Sequence, residues 1–383
     1  MPLTQKQETT AVNNTLIPQP SPLFTGMQLQ ADISIGSLVL NTIDANNVVW
    51  VCTDIEGWWT LPEPEIPDLP RGWGDGSYDT SGRWAARQIV LNGSFLTPGP
   101  AYTAAARNTL VQACSLVREG AWLKTNESPT RASFVRLSGA PSIETVNARG
   151  RTDFSIGLRA ADPIKYSWNA ADAEGYNTTT IPCKNTSTGA TGAATITNVG
   201  NTTVSTFIEV TGPTSNDTTI ANSTTGEVLT IVEALRGAET RTVTTRQIAS
   251  YIATLTLSAA HTIVAGDYVT VSGINGTYNG SVLIVNANSG AGVYNISYVV
   301  ATQTASSTAS AGTVVRAIDV LEIDTYTHEV ALNGETLGSR VKVDTLTDWI
   351  SLDAGSNSIQ FTDQGIAAST ASMIVYYRSG WIG

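Results

Sequence analysis

Short runs in which apolar and polar residues alternate make up most of the chain. The cleanest is "RTDFSIGLRA" (151–160), with Phe154, Ile156, Leu158 and Ala160 on one strand face and Asp153, Ser155 and Arg159 on the other. Asp162-Pro163 ends it, because proline brings no amide hydrogen to a ladder and biases its predecessor toward a turn. "LVLNTID", "VVWVCTDI", "RQIVLNGSFL" (87–96), "AWLKTN" and "ASFVRL" read as further strands. The period changes once. In "AYTAAARNTLVQACSLVREG", Ala106, Leu110, Ala113 and Val117 fall on one helical stripe, and Gly120 sits where a C-terminal cap belongs. One helix among strands predicts an α+β domain over 28–169.

Residues 1–27 are polar and dotted with proline, and read as an extended N-terminal arm. Residues 170–205 are rich in Thr, Asn and Gly and read as a connection. Strands then recur every eight to twelve residues over 206–249 and 316–383, the rhythm of a β-sandwich. Between them, 250–315 packs short alternating strands around Asn-Gly and glycine turns and closes on the polar strip "TQTASSTASAG". The simplest reading is a small β module inserted in a loop of the sandwich. The expected fold class is therefore mainly β.

Composition sharpens this in three places. Only 14% of residues are charged, and Thr, Ser, Asn and Gly fill the deficit, as in turn-rich β proteins. The net charge of −11 speaks against a nucleic-acid binder, which needs basic patches. Cys52, Cys114 and Cys183 are odd in number and far apart, so a disulfide framework and a metal site are not expected. The first residues lack the order of a signal peptide and no run of eighteen apolar residues occurs, so synthesis in a cytoplasm without membrane insertion is expected.

Candidate chemistry is sparse. HExxH, GxSxG, Walker and dinucleotide-binding motifs are missing, and His261 and His328 stand apart. No catalytic residue, metal ligand or cofactor is expected, and the protein is not expected to be an enzyme. Glu56, next to Trp58 and Trp59, begins an acidic stretch with Glu63, Glu65 and Asp68 that suits an exposed loop or a contact for a basic partner better than a glycosidase pair. Trp73, Tyr78, Trp84 and Trp122 lie near glycine-rich turns and are candidate interface anchors.

"GSYDTSGRWAARQIVLNGSFLTPG", the alanine-rich helix and "RTDFSIGLRAADPIKY", in that order, resemble the siphophage distal tail proteins, which form the tail-tip or baseplate hub. "VLEIDTYTHEVALNGE", "WISLDAGSNSIQFTDQG" and "MIVYYRSGWIG" resemble that family's C-terminal galectin-like β-sandwich. The resemblance covers about 28–250 and 315–383; 250–315 departs from it. It implies a belt domain that closes into a ring of six copies, a homo-oligomer joining the tail-tube protein to a tail-tip hub or tape-measure-associated protein. The protein would then be a structural virion component of the tail tip, assembled in the host cytoplasm. An alternative is a carbohydrate-binding module for host attachment, with Tyr278, Tyr294 or Trp349 stacking on cell-wall sugars.

Overall fold

The computed structural model describes residues 33–383 apart from 74, 146–149, 185–188, 190, 291, 303, 337–340, 344–348, 364 and 366–368. The expected arm 1–27 lies outside the described residues. The chain forms two compact units. The first is Met1–Asn177 with Val199–Thr202 and Arg378–Gly383, and the second is Thr178–Asn198 with Thr203–Tyr377.

In the first unit one antiparallel path runs Leu38–Leu40, Ile33–Ile35, Ala121–Thr125, Arg131–Leu137, Arg151–Ala160, Arg87–Leu96, Val49–Glu56 and Thr42–Ile43. The strand Arg151–Ala160 has the bounds its alternation predicts and pairs along its whole length with Arg87–Leu96, from Arg151 opposite Leu96 to Ala160 opposite Arg87. Its even positions are buried with Trp50, Leu91 and Phe95 in one core. The helix Pro100–Val117 lays Ala106, Leu110, Ala113, Cys114 and Val117 on that core, which is the predicted stripe plus one thiol. Proline at its first position costs nothing, since that amide has no intrahelical partner.

The Asp162-Pro163 corner is built by the acid. Asp162 accepts the Ile164 amide at 3.0 Å and the Tyr166 hydroxyl at 2.5 Å. That turn aims Lys165–Ser167 back along Arg131–Leu137. On its other side Lys165–Ser167 pairs with Gly380–Trp381, so residues from the far end of the sequence finish this unit.

The second unit contains two large sheets. One runs Asn177–Pro182, Ser372–Tyr377, Phe207–Thr211, Val320–Asp324, Glu329–Leu332 and Glu335–Thr336. The other runs Ala193–Asn198, Gly355–Thr362, Thr218–Asn222, Glu227–Ile231 and Val341–Val343. Alternate residues are buried in the central strands of both sheets, among them Ile208, Val210, Leu321, Ile323, Ile220, Ile359 and Phe361, which is the pattern of a sandwich. The Thr/Asn-rich tract 170–205 thus contributes strands to both sheets; their few apolar residues, Ile181 and Ile196, point inward.

Between Ile231 and Val320 the chain makes a separate barrel. Its strands run Ile252–Leu257, Val293–Val299, Gly280–Gly290, Tyr268–Ser272, Thr313–Arg316 and Glu239–Ala249. The last pairs back onto the first, closing six antiparallel strands. Thr304–Ala309 lies along the second half of Glu239–Ala249. Leu255, Val271, Ile284, Ile296, Tyr298 and Val314 fill the interior. Both ends of this excursion leave the sandwich side by side. The Arg236 amide donates to Asp319 Oδ2 at 2.8 Å, and the Asp319 amide to the Arg236 carbonyl at 2.9 Å. The Arg236 guanidinium grips Asp267 of the barrel through both oxygens, at 2.7 and 2.8 Å, a bidentate pair.

Candidate assembly surface

Residues 57–87 leave the first unit as a narrow hairpin. Two short ladders hold it, Pro64 opposite Trp84 with Glu65 opposite Arg83, and Leu69 opposite Tyr78 with Pro70 opposite Ser77. The Ala85 amide donates to the Glu63 carbonyl at 2.8 Å and Thr80 Oγ1 to the Pro67 carbonyl at 2.7 Å. Pro62, Pro64, Pro67 and Pro70 stiffen one limb and remove amide donors from its edge, which discourages unspecific strand addition.

The hairpin carries apolar side chains with no core of its own. Trp59, Leu61, Ile66, Leu69, Trp73, Tyr78 and Trp84 are all exposed, and Trp73 near the tip is 97% accessible. Moving such side chains out of water stabilises by roughly 2 kcal/mol each. A contiguous run of them on a soluble surface marks a contact for another molecule. Glu56, Glu63, Glu65 and Asp68 are exposed on or beside the same limb. Glu56 accepts an amide hydrogen bond from Asn92 at 3.0 Å, and Arg83 pairs with Glu65 at 2.8 Å.

The root of the hairpin is fixed, unlike its flanks. Gly57 has φ +77°, and a Cβ there would lie 2.0 Å from the Gln88 carbonyl oxygen, so only glycine makes this turn. Trp58 is fully buried and donates its indole N–H to Glu127 at 2.8 Å. Arg87, 1% exposed, spreads its guanidinium over main-chain carbonyls. It reaches Gly57 at 3.0 Å, Trp58 at 3.4 Å, Thr60 at 2.6 Å, Pro163 at 3.0 Å and Ile382 at 2.7 Å. A planar fork of five N–H groups can serve that many acceptors, and lysine cannot.

A second buried cation backs this clamp. Lys165 donates to the Trp58 carbonyl at 2.9 Å, with the Trp58 and Trp59 rings 5.0 and 5.5 Å away. Burial pulls its ammonium from the ordinary 10.5 down to about 8; nearby Glu127 works against the shift, and Arg87 and Arg131 add to it. Arg131 itself pairs with Glu127 at 3.2 Å and lies over the Trp381 ring at 4.6 Å.

Three of the four anchors named from sequence, Trp73, Tyr78 and Trp84, sit on this hairpin. Trp122, half-buried, lies elsewhere in the first unit. It packs against Phe134 at 5.4 Å and Trp168 at 5.3 Å, with the Arg378 guanidinium 4.6 Å from its ring, so its faces are spent inside the unit. The sequence reading missed Trp59, Leu61, Ile66 and Leu69, although "WWTLPEPEIPDLP" shows the signal: apolar residues spaced by proline cannot join a sheet interior.

The three residues named for sugar stacking form no exposed platform. Tyr278 is 3% exposed in the barrel core, where its carbonyl accepts the Tyr298 hydroxyl at 2.8 Å. That role is corrected to packing. Tyr294 is half-buried against the same core, and Trp349 stacks on His328 with centroids 4.9 Å apart. His261 is buried and bonds the Asn288 carbonyl at 3.0 Å. No cluster of His, Cys, Asp or Glu among the described residues could hold a metal ion.

Among the described residues the chain is mainly β, with one helix, a closed barrel and an apolar hairpin. Residues 291–381 match the family described as siphovirus-type tail component, C-terminal domain. That match agrees with the resemblance of the C-terminal stretches to the siphophage distal tail proteins. No curated protein matches the chain. Among solved structures, the SPP1 Dit protein, described as a paradigm of the hub adsorption apparatus in phages infecting Gram-positive bacteria, is 10% identical. That comparison covers 91% of this chain and 98% of the other, with a TM-score of 0.44. The phage P2 baseplate in its activated conformation with calcium is 7% identical, covering 82% and 89%, with a TM-score of 0.29. At these scores neither likeness carries an argument.

Proposed function

We propose that this protein forms the distal ring of a siphophage tail, with the first unit closing a belt of six copies. The ring joins the tail tube to the tail-tip hub or a tape-measure-associated protein, and it is assembled in the host cytoplasm. The observation that carries this reading is the hairpin 57–87, whose exposed apolar side chains find no cover among the described residues. A ring needs a heterologous contact, one patch on each copy meeting a different patch on the next. A projecting limb with a fixed root meets that requirement. Mass measurement of the purified chain in solution tests it: six copies in one particle are expected, and a monomer that persists at high concentration would sink the reading.

A further inference from the structure

Residues 378–383 lie far along the sequence from the rest of the first unit, yet they are among its most closely held parts. Ser379 exchanges hydrogen bonds with Ser167: the Ser167 amide donates to the Ser379 carbonyl at 2.8 Å, and the Ser379 amide to Ser167 Oγ at 2.9 Å. Trp381 stands opposite Lys165 and Gly380 opposite Tyr166. The Asn201 amide donates to the Gly380 carbonyl at 2.9 Å, and Asn201 Oδ1 accepts the Ile382 amide at 2.9 Å. A Cβ on Gly200 would lie 1.8 Å from the Gly380 oxygen, so the two backbones touch where only glycine fits. Arg378, 9% exposed, is enclosed by aromatic rings: Tyr176 at 3.8 Å, Trp122 at 4.6 Å, and Tyr166 and Trp168 each at 5.9 Å. It also donates to the Glu174 carbonyl.

This segment reaches the hairpin at its root. The Ile382 carbonyl takes one arm of the Arg87 fork while the other nitrogens hold Gly57, Trp58, Thr60 and Pro163. A Cβ on Gly383 would lie 3.2 Å from Leu61 Cδ2, so the segment also lies against the first exposed limb of the hairpin. Trp381 covers Arg131, which pairs with Glu127, and Glu127 in turn accepts the Trp58 indole. Two chains of contact therefore lead from residues 378–383 to residues 57–61.

We propose that seating of residues 378–383 sets the hairpin: Arg87 holds its root in one orientation only once the Ile382 carbonyl completes the set of acceptors. Without that carbonyl one buried guanidinium N–H has no partner, and an unmade buried bond to a charged group is costly enough to loosen the clamp. A two-stranded hairpin has little stability of its own, so a loosened root frays the limb. A chain broken off before Arg378 would fold its barrel and yet not present the limb for docking on a second copy. Only this consequence rests on the ring reading; the coupling itself does not.

Hydrogen exchange on the intact chain and on a chain ending at Tyr377 tests the coupling. Peptides spanning 59–86 should exchange at least about tenfold faster in the shortened chain, while barrel peptides over 252–257 stay unchanged. Should the shortened chain lose the first unit altogether, the full-length Arg87→Lys variant decides. It keeps the charge and loses the fork, so peptides over 59–86 should exchange several-fold faster, with 88–96 unaltered. Wild-type exchange over 59–86 in the shortened chain, or in Arg87→Lys where that variant decides, overturns the proposal. Particle mass is read separately. Faster exchange in the shortened chain, with the intact chain proving monomeric, keeps the coupling and removes only the ring.

Discussion

The hairpin 57–87 and the barrel 239–316 are both excursions from a sheet, and they solve the problem of apolar side chains in opposite ways. The barrel closes on itself, so each of its six closing strands has two neighbours and Leu255, Ile284 and Ile296 share a private interior. The hairpin has two strands, free edges and seven large apolar side chains facing water. A closed barrel has no edge to offer and no core debt to settle outside itself. An open hairpin keeps its apolar surface for something else. The barrel also exposes apolar residues, Tyr251, Tyr268 and Val299 among them, but they surround a filled interior, whereas those of the hairpin have no core behind them.

Breaking the hairpin's outward surface should have the largest effect, and only on assembly. Trp73→Ser with Tyr78→Ser removes two aromatic anchors at about 2 kcal/mol each, so association should weaken by about a thousandfold. The melting temperature of the single chain should hardly move, which separates this contact from folding. A shared loss of association and chain stability would erase the contrast with the barrel.

Gly57→Val attacks the root instead. A β-branched side chain at positive φ, against the Gln88 carbonyl, should cost about 3–4 kcal/mol of first-unit stability. Thermal unfolding followed by exchange at 87–96 reads it. Leu255→Ala does the corresponding damage in the barrel, about 2–3 kcal/mol from a cavity in a filled interior. Its effect should stay within peptides 239–316 and leave association unchanged. Spread of that loss into particle mass would show that the barrel, too, serves assembly.

The smallest effect is a pH dependence. Lys165 has its folded value pulled to about 8 from an ordinary 10.5, so the unfolded chain binds the extra proton between those values. Stability from this group is present above the unfolded value and is lost as pH falls through the folded one. Between pH 8 and 10 the wild type should therefore gain stability relative to Lys165→Met. Taking the difference cancels Cys52, whose thiol burial pushes up to about 12 and which works in the opposite direction. Equal slopes for both proteins would mean that Lys165 is not the group felt.

Local pattern carried much of the fold. The strand 151–160, the stripe Ala106–Leu110–Ala113–Val117 and the Asp162-Pro163 corner are short-range signals, and each appears where its period or its turn chemistry places it. Long-range pairing left no such trace. Nothing near Lys165 announces Trp381 as its strand partner, because a pairing across two hundred residues is chosen by the whole fold. The barrel shows the same limit. Glu239–Ala249 gives one half to Thr313–Arg316 and the other to Ile252–Leu257, and the register shift between Val243 and Thr245, where the partner changes, lies in a Thr-rich run that does not announce it. In the candidate site, Trp73, Tyr78 and Trp84 were legible as aromatics beside glycines. Arg87 was not, because its value lies in five carbonyls brought together from three separated stretches.

The two hydrogen bonds between Arg236 and Asp319, amide to carboxylate and amide to carbonyl, have a practical side. Where two chain ends leave a sandwich already tied to each other, whatever lies between them can be exchanged as a cassette. A short turn from Gly237 to Ala317 would leave the Arg236–Asp319 pair in place, and a foreign domain with neighbouring termini could be carried there instead.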